Sequence, residues 1–525
     1  MPEVTLPALI QQMLQPDFYP HGVQTPIQLL QTHISYVLLT GDYAYKVKKP
    51  VNFGFLDFSC PKRRQHYCQE ELRLNARWAP DLYLEVLPIS EHPAGRYRLG
   101  ANNGHPVVEH TLKMRQFPQE GLFSHLFESG QLTAADLEAL GRQTAAFHQQ
   151  ADHGDEIRQF GSLTMIRRTL DGNYQASLPY IGRAQTQQQY EETRQFTDPF
   201  LVDHSRWFER RQREGKIREC HGDLHLGNVC RYQNQIRAFD CIEFNDEFRC
   251  IDVIYDAAFM VMDLEFRGRT DLAYAFLNTY LEYTCDYWGA VLLPFYCSVR
   301  AYVRAKVNSL ILDDPGLTPS QLASAQEVAA AYYRQAWAYG RPRQGRLLVM
   351  SGHSGSGKST VARHLAQTLG AIHIRSDAVR KHLAGIPLHQ RGDDSLYTPE
   401  MTDLTYTQLQ ELGLFLAGQG LTVILDARYD RQVQRQGILI QAAGRNLPVN
   451  ILHCHAPLEV LAQRLDKRQG DIADATADLL PHQLRALEPF TEQEQPLVIS
   501  VDTSGDWRTG LHREPQLTQP PPCLA

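Results

Sequence analysis

Three runs in the first hundred residues have the length and composition of strands: S-Y-V-L-L-T-G from Ser35, Y-A-Y-K-V-K-K from Tyr43 and Y-L-E-V-L-P-I from Tyr83. Between the second and third, a helix is predicted to start near Ser59 as its cap, with Pro61 in the first turn and Pro80 beyond its end. Tyr67, Glu71, Leu74 and Trp78 fall at i, i+4, i+7 and i+11, so one acid lies on the inward stripe of that helix. The pattern predicts a small α+β lobe. From Thr133 to about Ala338 the period is mostly helical, interrupted near residues 217–245 by loop and strand signals. An alanine-rich helical segment, 321–339, then ends at G-R-P-R-Q-G, where glycine and proline break the pattern. Beyond it, apolar runs at 346–350, 372–374, 421–425 and 449–453 alternate with helical spacing, the signature of a parallel α/β sheet. From about Thr503 apolar periodicity is weak and Pro520, Pro521 and Pro522 are consecutive, which predicts a disordered tail.

The expected layout is one domain over 1–340, a second over 345–503 and a tail over 504–525. Composition narrows the partners. Lys and Arg number 52 against 59 Asp and Glu, a formal charge of −7, and no run of five like charges occurs, so an extended nucleic-acid footprint is not indicated. The ten cysteines are scattered without C-x2-C pairs, which predicts reduced thiols rather than a zinc site. The first residues lack a basic n-region and a continuous apolar run, and no 18-residue apolar stretch exists, so the expected compartment is the cytoplasm, with no membrane partner.

The segment from Cys220 reads C-H-G-D-L-H-L-G-N-V and sets Asp223 five residues before Asn228. That spacing lets an aspartate reach an acceptor hydroxyl while an asparagine on the loop's return reaches a metal on the phosphates. The loop resembles the kinase catalytic loop, and glycine at 222 gives the version found in aminoglycoside phosphotransferases and related small-molecule kinases. The resemblance covers roughly residues 30–340. It implies Asp223 as the base and Asn228 and Asp240 as Mg2+ ligands, Asp240 lying at the end of the strand that follows. It also implies a strand lysine on the ATP phosphates, paired to a helix glutamate. Lys46 and Lys48 share one strand face, and alignment with A-x-K patterns favours Lys46; Glu71 is the better partner than Glu70. Arg249 and Asp252 resemble a feature that braces the loop in choline-kinase-like members, and His225 reads as loop packing. No G-x-G-x-x-G precedes the lysine strand, where only Gly41 stands, which favours a small-molecule kinase over a protein kinase. Glu243, Asp246 and Glu247 form either a solvated loop or an acidic acceptor site, Glu243 being the candidate contact.

Downstream, the strand ending at Met350 runs into G-H-S-G-S-G-K-S-T, followed by helical spacing, a complete Walker A loop in its required setting. Gly352, Gly355, Ser356 and Gly357 supply backbone N–H groups for phosphates, Lys358 reaches the β- and γ-phosphates, Ser359 ligates Mg2+, and Thr360 follows in the first turn. Asp377 and Arg380 after the second strand, and Asp426 after the third, resemble P-loop kinases of the gluconate-kinase and zeta-toxin type. The resemblance implies acceptor contact for Asp377 and Arg380 and a Mg2+ role for Asp426. Arg464 and Arg468 form either a lid over the phosphates or a solvated basic face.

The reading that follows is an ATP- and Mg2+-dependent phosphotransferase with two nucleotide sites. The N-terminal one transfers the γ-phosphoryl to a small-molecule hydroxyl, and the C-terminal one is a P-loop kinase. Two alternatives stand beside it: an ATP-binding regulatory protein with one active domain, and a nucleic-acid or nucleotide-sugar kinase in the C-terminal half. The acidic charge weighs against long polynucleotides.

Overall fold

A computed structural model describes residues 6–54, 56–100, 104–467, 470–512, 514 and 517. The chain divides into two compact units. The first comprises Met1–Leu132, Ala151–Ile166 and Phe208–Asp256; the second comprises Thr133–Gln150, Arg167–Trp207 and Ala257–Ala525.

The first unit is built on a six-stranded antiparallel sheet of β1 (Gln28–Gln31), β2 (Ser35–Leu39), β3 (Tyr43–Lys48), β4 (Tyr83–His92), β5 (Arg96–Leu99) and β6 (Val107–Arg115), in the order β1-β2-β3-β6-β4-β5. Leu38, Tyr45, Val47 and Ile89 pack with Ile10, Met13 and Tyr19 of the preceding segment to form its core. The predicted helix spans Pro61–Ala76 with Pro61 at its first position. Its cap differs from the expected one. Cys60 stands at the N-cap, and the Ser59 hydroxyl instead donates to Asp57 Oδ1 at 2.6 Å, a local carboxylate outcompeting the helix N-terminus. Two small sheets complete the unit: β7 (Ile217–Glu219) with β10 (Cys250–Asp252), and β8 (Val229–Tyr232) with β9 (Gln235–Ala238).

In the second unit, long helices carry the middle of the chain. The one over Pro319–Tyr339 begins with a reciprocal capping box between Thr318 and Gln321. A five-stranded parallel sheet follows, β11 (Arg346–Ser351), β12 (Ile372–Arg375), β13 (Thr422–Asp426), β14 (Val449–His455) and β15 (Val498–Asp502), ordered β12-β13-β11-β14-β15. Every residue of β11 is buried, as a central parallel strand with covered faces requires. The chain after Thr503 corrects the expected tail. A helix forms over Trp507–His512, and Leu511 and Leu517 join Val361, Ile424 and Val501 in the core beneath the sheet, with Trp507 packed against them. Apolar anchors spaced through a polar segment suffice to hold it. The remainder of that predicted tail and residues 1–5, 55, 101–103 and 468–469, Arg468 among them, lie outside the described residues. Among the described residues, no helix is long and apolar enough to cross a membrane.

Candidate active sites

The first unit collects the kinase-like residues around the end of β9. Lys46 Nζ donates to Glu71 Oε1 at 2.7 Å and to Asp240 Oδ1 at 2.6 Å. Lys48, on the same face of β3, donates to Glu71 Oε2 at 2.6 Å and makes a very short ion pair with Glu243. The result is an unbroken alternation of charge, Asp240, Lys46, Glu71, Lys48, Glu243, in which Glu71 is fully buried. Burial works against the charge on Glu71, but the two lysines prevail and hold its carboxyl at about 2. Burial likewise opposes charge on Lys46, and Asp240, Glu71 and Glu243 outweigh it, keeping the ammonium above its ordinary range.

Glu243 is neither a solvated loop residue nor exposed for an acceptor. It is 4% exposed, its carboxylate is turned onto Lys48, and burial pushes it above the ordinary carboxylate range. Glu70 faces outward to Arg73.

The catalytic-type loop is held by its own backbone contacts. The N–H groups of His221 and Gly222 donate to the Asp256 carboxylate at 3.1 and 2.8 Å. Gly222 has φ +87°, and a Cβ there would come within 2.7 Å of the Phe248 carbonyl oxygen, so glycine is required at this position. His221, fully buried and kept neutral by that burial, binds the Phe239 carbonyl through Nε2 at 2.9 Å and accepts the Asp223 N–H through Nδ1 at 3.3 Å. Asn228 Nδ2 donates to the Asp223 carboxylate at 3.0 Å. His225 Nε2 lies 3.3 Å from the same carboxylate, while its Nδ1 accepts the Gly227 N–H, so His225 touches the acid as well as packing in the loop. Asp240 takes φ +64°, and its N–H donates to the buried Tyr83 hydroxyl at 3.0 Å. Arg249 binds Glu219 at 3.1 Å and the Glu243 carbonyl at 3.2 Å, and Asp252 binds Arg211. Both therefore act as braces.

In the second unit the loop after β11 closes into a helix at Lys358–Leu369. Gly352, at φ +134°, lies so close to the Cys454 carbonyl that a Cβ would stand 2.2 Å from it. Lys358 Nζ donates to the His353 carbonyl at 2.7 Å, and burial lowers it below its ordinary range, with Asp426 opposing. Ser359 is half-buried and Thr360 exposed in the helix's first turn. Asp426, at the end of β13, accepts from His373 Nε2 at 3.0 Å; burial opposes its charge, and His373, Arg375 and Lys358 hold it at about 2. Asp377 is raised by burial and by Asp426, against Arg375 and Arg380. Arg380 is buried and donates to the Leu396 carbonyl at 2.8 Å, so it shapes the wall beside the site. Arg464 is not on a solvated face. It donates to the Gly355 carbonyl at 3.3 Å and to Thr503 at 2.7 and 2.9 Å, and Thr503 itself donates to the Ser356 carbonyl.

A helix over Thr270–Thr284 meets this sheet along β12 within the same unit. Asn278 donates to the Ala371 carbonyl at 3.0 Å and accepts the His373 N–H at 2.9 Å. Glu282 lies 3.4 Å from Arg375, whose other partner is Asp471.

A family model described as phosphotransferase enzyme family matches residues 112–292, and one described as AAA domain matches residues 347–490. An uncharacterized protein of Mycobacterium tuberculosis (strain ATCC 25618 / H37Rv) is 31% identical over 470 residues, which span 88% of this chain and 90% of that protein. A Mycobacterium bovis protein matches with the same figures. The chain belongs to their family. It joins an aminoglycoside-phosphotransferase-like domain to a P-loop kinase-type domain. Its P-loop region is 32% identical over 167 residues to the gluconokinase of Gluconobacter oxydans, covering 31% of this chain and 85% of that enzyme. Among solved structures, a choline/ethanolamine kinase family protein of Mesorhizobium loti aligns with 12% identity and a TM-score of 0.39, over 63% of this chain and 98% of that one. A gluconokinase of Sinorhizobium meliloti aligns with 24% identity and a TM-score of 0.24, over 32% and 88%.

Sequence reasoning passed over Tyr83, Asp256, His373 and Glu282, and weighed Lys48 only as a rival to Lys46 rather than as its partner on Glu71. Lys48 was visible in the strand period, which puts it on the Lys46 face. Asp256 sits four residues after Asp252, one helical turn along, but nothing in that spacing says it receives two loop N–H groups.

Proposed function

We propose that the chain is an ATP-dependent phosphotransferase with two working sites, one per domain, over the layout 1–340 and 345–503. In the N-terminal site Lys46, aimed by Glu71, binds the ATP phosphates, and Asp223 takes the proton of a small-molecule hydroxyl. The observation that carries this reading is the ion chain from Asp240 through Lys46 to Glu71, beside an Asp223 already hydrogen-bonded to Asn228. Asp240 offers carboxylate oxygens, and Asn228, its nitrogen spent on Asp223, offers its amide oxygen. This hard-oxygen set fits Mg2+, which would neutralise phosphate charge there. His225 keeps the Asp223 carboxylate oriented.

In the P-loop site the backbone from Gly352 to Gly357, Lys358 and Arg464 bind the nucleotide. Ser359 and Asp426 would supply oxygen ligands to a second Mg2+, and Asp377 would face the acceptor. The cytoplasm suits such an enzyme and its free cysteines, since the nine among the described residues form no disulfide.

The test is an ADP-release screen of hydroxylated metabolites on the full chain, with Asp223→Ala and Lys358→Ala separately. Each variant is expected to lose its own set of acceptors by at least about 10²-fold. Unchanged turnover with every responsive acceptor in both variants would sink the assignment. Binding of AMP-PNP should fall from two per chain to one in Lys358→Ala.

A further inference from the structure

The segment that leaves β13 carries a carboxylate to which none of these roles is assigned. After Asp426 the chain runs through Ala427, Arg428, Tyr429 and Asp430 before the helix over Gln432–Ala443. It is bound tightly to the P-loop: the Gly352 N–H donates to the Arg428 carbonyl at 3.1 Å, and Ser351 Oγ to the Tyr429 carbonyl at 3.4 Å. Tyr429 is held at φ +41°, a left-handed conformation unfavourable to a bulky residue, and Arg435 fixes its carbonyl at 3.2 Å. This backbone delivers Asp430 into the interior at 2% exposure. Both of its carboxylate oxygens are buried without a hydrogen-bond donor. Arg428 lies 3.0 Å from Oδ2 as an ion pair, out of hydrogen-bond alignment, with its own side chain 38% exposed.

Two P-loop atoms are in the same condition: His353 Nδ1 and Ser356 Oγ are buried and unpartnered. His353 lies close enough to feel Asp430, Lys358 and Arg428; burial and Lys358 depress it, and Asp430 opposes them. Buried polar atoms are almost always satisfied, so unpartnered ones on two hydrogen-bonded segments, the P-loop and the chain after β13, mark the place of a missing hydrogen-bonding partner. The place is the carboxyl end of β11 and β13, the edge of an open parallel sheet where α/β proteins hold their ligands.

We propose that Asp430 is a specificity-determining residue of the P-loop site, binding a non-reacting hydroxyl of the acceptor, and that the acceptor is a polyhydroxylated small molecule. The charge of Asp430 is already met by Arg428, so a cationic ligand adds nothing. What the carboxylate lacks is hydrogen-bond donors, and hydroxyl groups supply them without a second charge. A polyol places one hydroxyl on Asp430 while another faces Asp377. The inference rests on the proposed phosphotransferase reading of this domain.

The test uses the full chain carrying Asp223→Ala and Lys46→Ala, so that only the P-loop site binds nucleotide and turns over, with and without Asp430→Asn. The probes are AMP-PNP with Mg2+, and ATP with D-gluconate, D-ribose, glycerol and myo-inositol. Three results are expected of Asp430→Asn: AMP-PNP affinity within twofold of the parent, polyol-dependent ADP release down by at least 10²-fold, and a melting temperature raised by about 2 °C or more. The last follows because an under-satisfied buried charge is removed and Arg428 is left where water reaches it. A lowered melting temperature would make Asp430 a structural residue, and a tenfold change in AMP-PNP affinity would make it a nucleotide ligand; either overturns the proposal. A parent that binds AMP-PNP at the P-loop but gives neither ADP release nor a melting shift with any of the four polyols overturns the acceptor class. Failure of the P-loop to bind AMP-PNP overturns the underlying kinase reading, and the inference with it.

Discussion

Replacing Glu71 with glutamine keeps the shape of the side chain and removes the charge at the centre of the Asp240–Lys46–Glu71–Lys48–Glu243 chain. The two lysines hold Glu71 at about 2 against an ordinary 4.5. At about 1.4 kcal/mol per pH unit, that gap corresponds to stabilisation on the order of 3 kcal/mol. The folded value lies below the unfolded one, so the contribution is present in full above the unfolded pKa and is lost as pH falls from 4.5 toward about 2. Glu71→Gln should therefore lower the melting temperature of the first unit by about 6–12 °C at pH 7. The deficit should narrow below about pH 4.5. Calorimetry at pH 7 and at successively lower pH reads both effects. In a Lys358→Ala background, where the N-terminal site alone binds AMP-PNP, affinity should fall by about tenfold or more as Lys46 loses its guide. A variant that melts within about 1 °C of the wild type at pH 7 would refute the claim that the two lysines share one buried carboxylate.

Arg435 is fully buried, with Glu494 at 2.8 Å and the Tyr429 and Pro489 carbonyls as further acceptors. Arg435→Met should cost about 3–5 kcal/mol in urea unfolding, and Arg435→Met with Glu494→Gln should recover a substantial part; equal losses in the two would show that no uncompensated charge was left behind. Gly222→Ala, forced against the Phe248 carbonyl at positive φ, should lose more than about 1–2 kcal/mol and most of the Asp223-dependent turnover, and a variant with wild-type melting and rate would contradict the packing of that loop.

The residues that short motifs carry were legible, because they sit within a few positions of one another. Asp223, Asn228 and Asp240 are set by loop spacing, and the Walker A glycines and Lys358 by a strand, a turn and a helix start. Period alone placed Glu71 on the inner face of its helix and Lys46 beside Lys48. What failed were inferences about solvent. Glu243 stands in an acidic stretch that reads as exposed, yet Lys48, nearly two hundred positions earlier, draws it inside. Ser59 has the right chemistry for a cap, but Asp57 reaches its hydroxyl first. The segment after Thr503 looks featureless until Trp507 and Leu511, one turn apart, meet a core assembled from other strands. Arg375 acquires Glu282 from a helix whose own sequence says nothing about a P-loop. Such pairings are made by tertiary approach, and no local pattern encodes them.

Asn278 bears on how this protein can be taken apart. Its side-chain amide offers β12 one donor and one acceptor, as a neighbouring strand would, and so closes the rim of the parallel sheet. A C-terminal fragment begun after residue 340 would present that rim bare, with Arg375 stripped of Glu282, and an open rim invites pairing with other chains. The P-loop half has thus exchanged autonomy for attachment: dissecting the two domains calls for point substitutions in the intact polypeptide, because excision would manufacture a sticky edge.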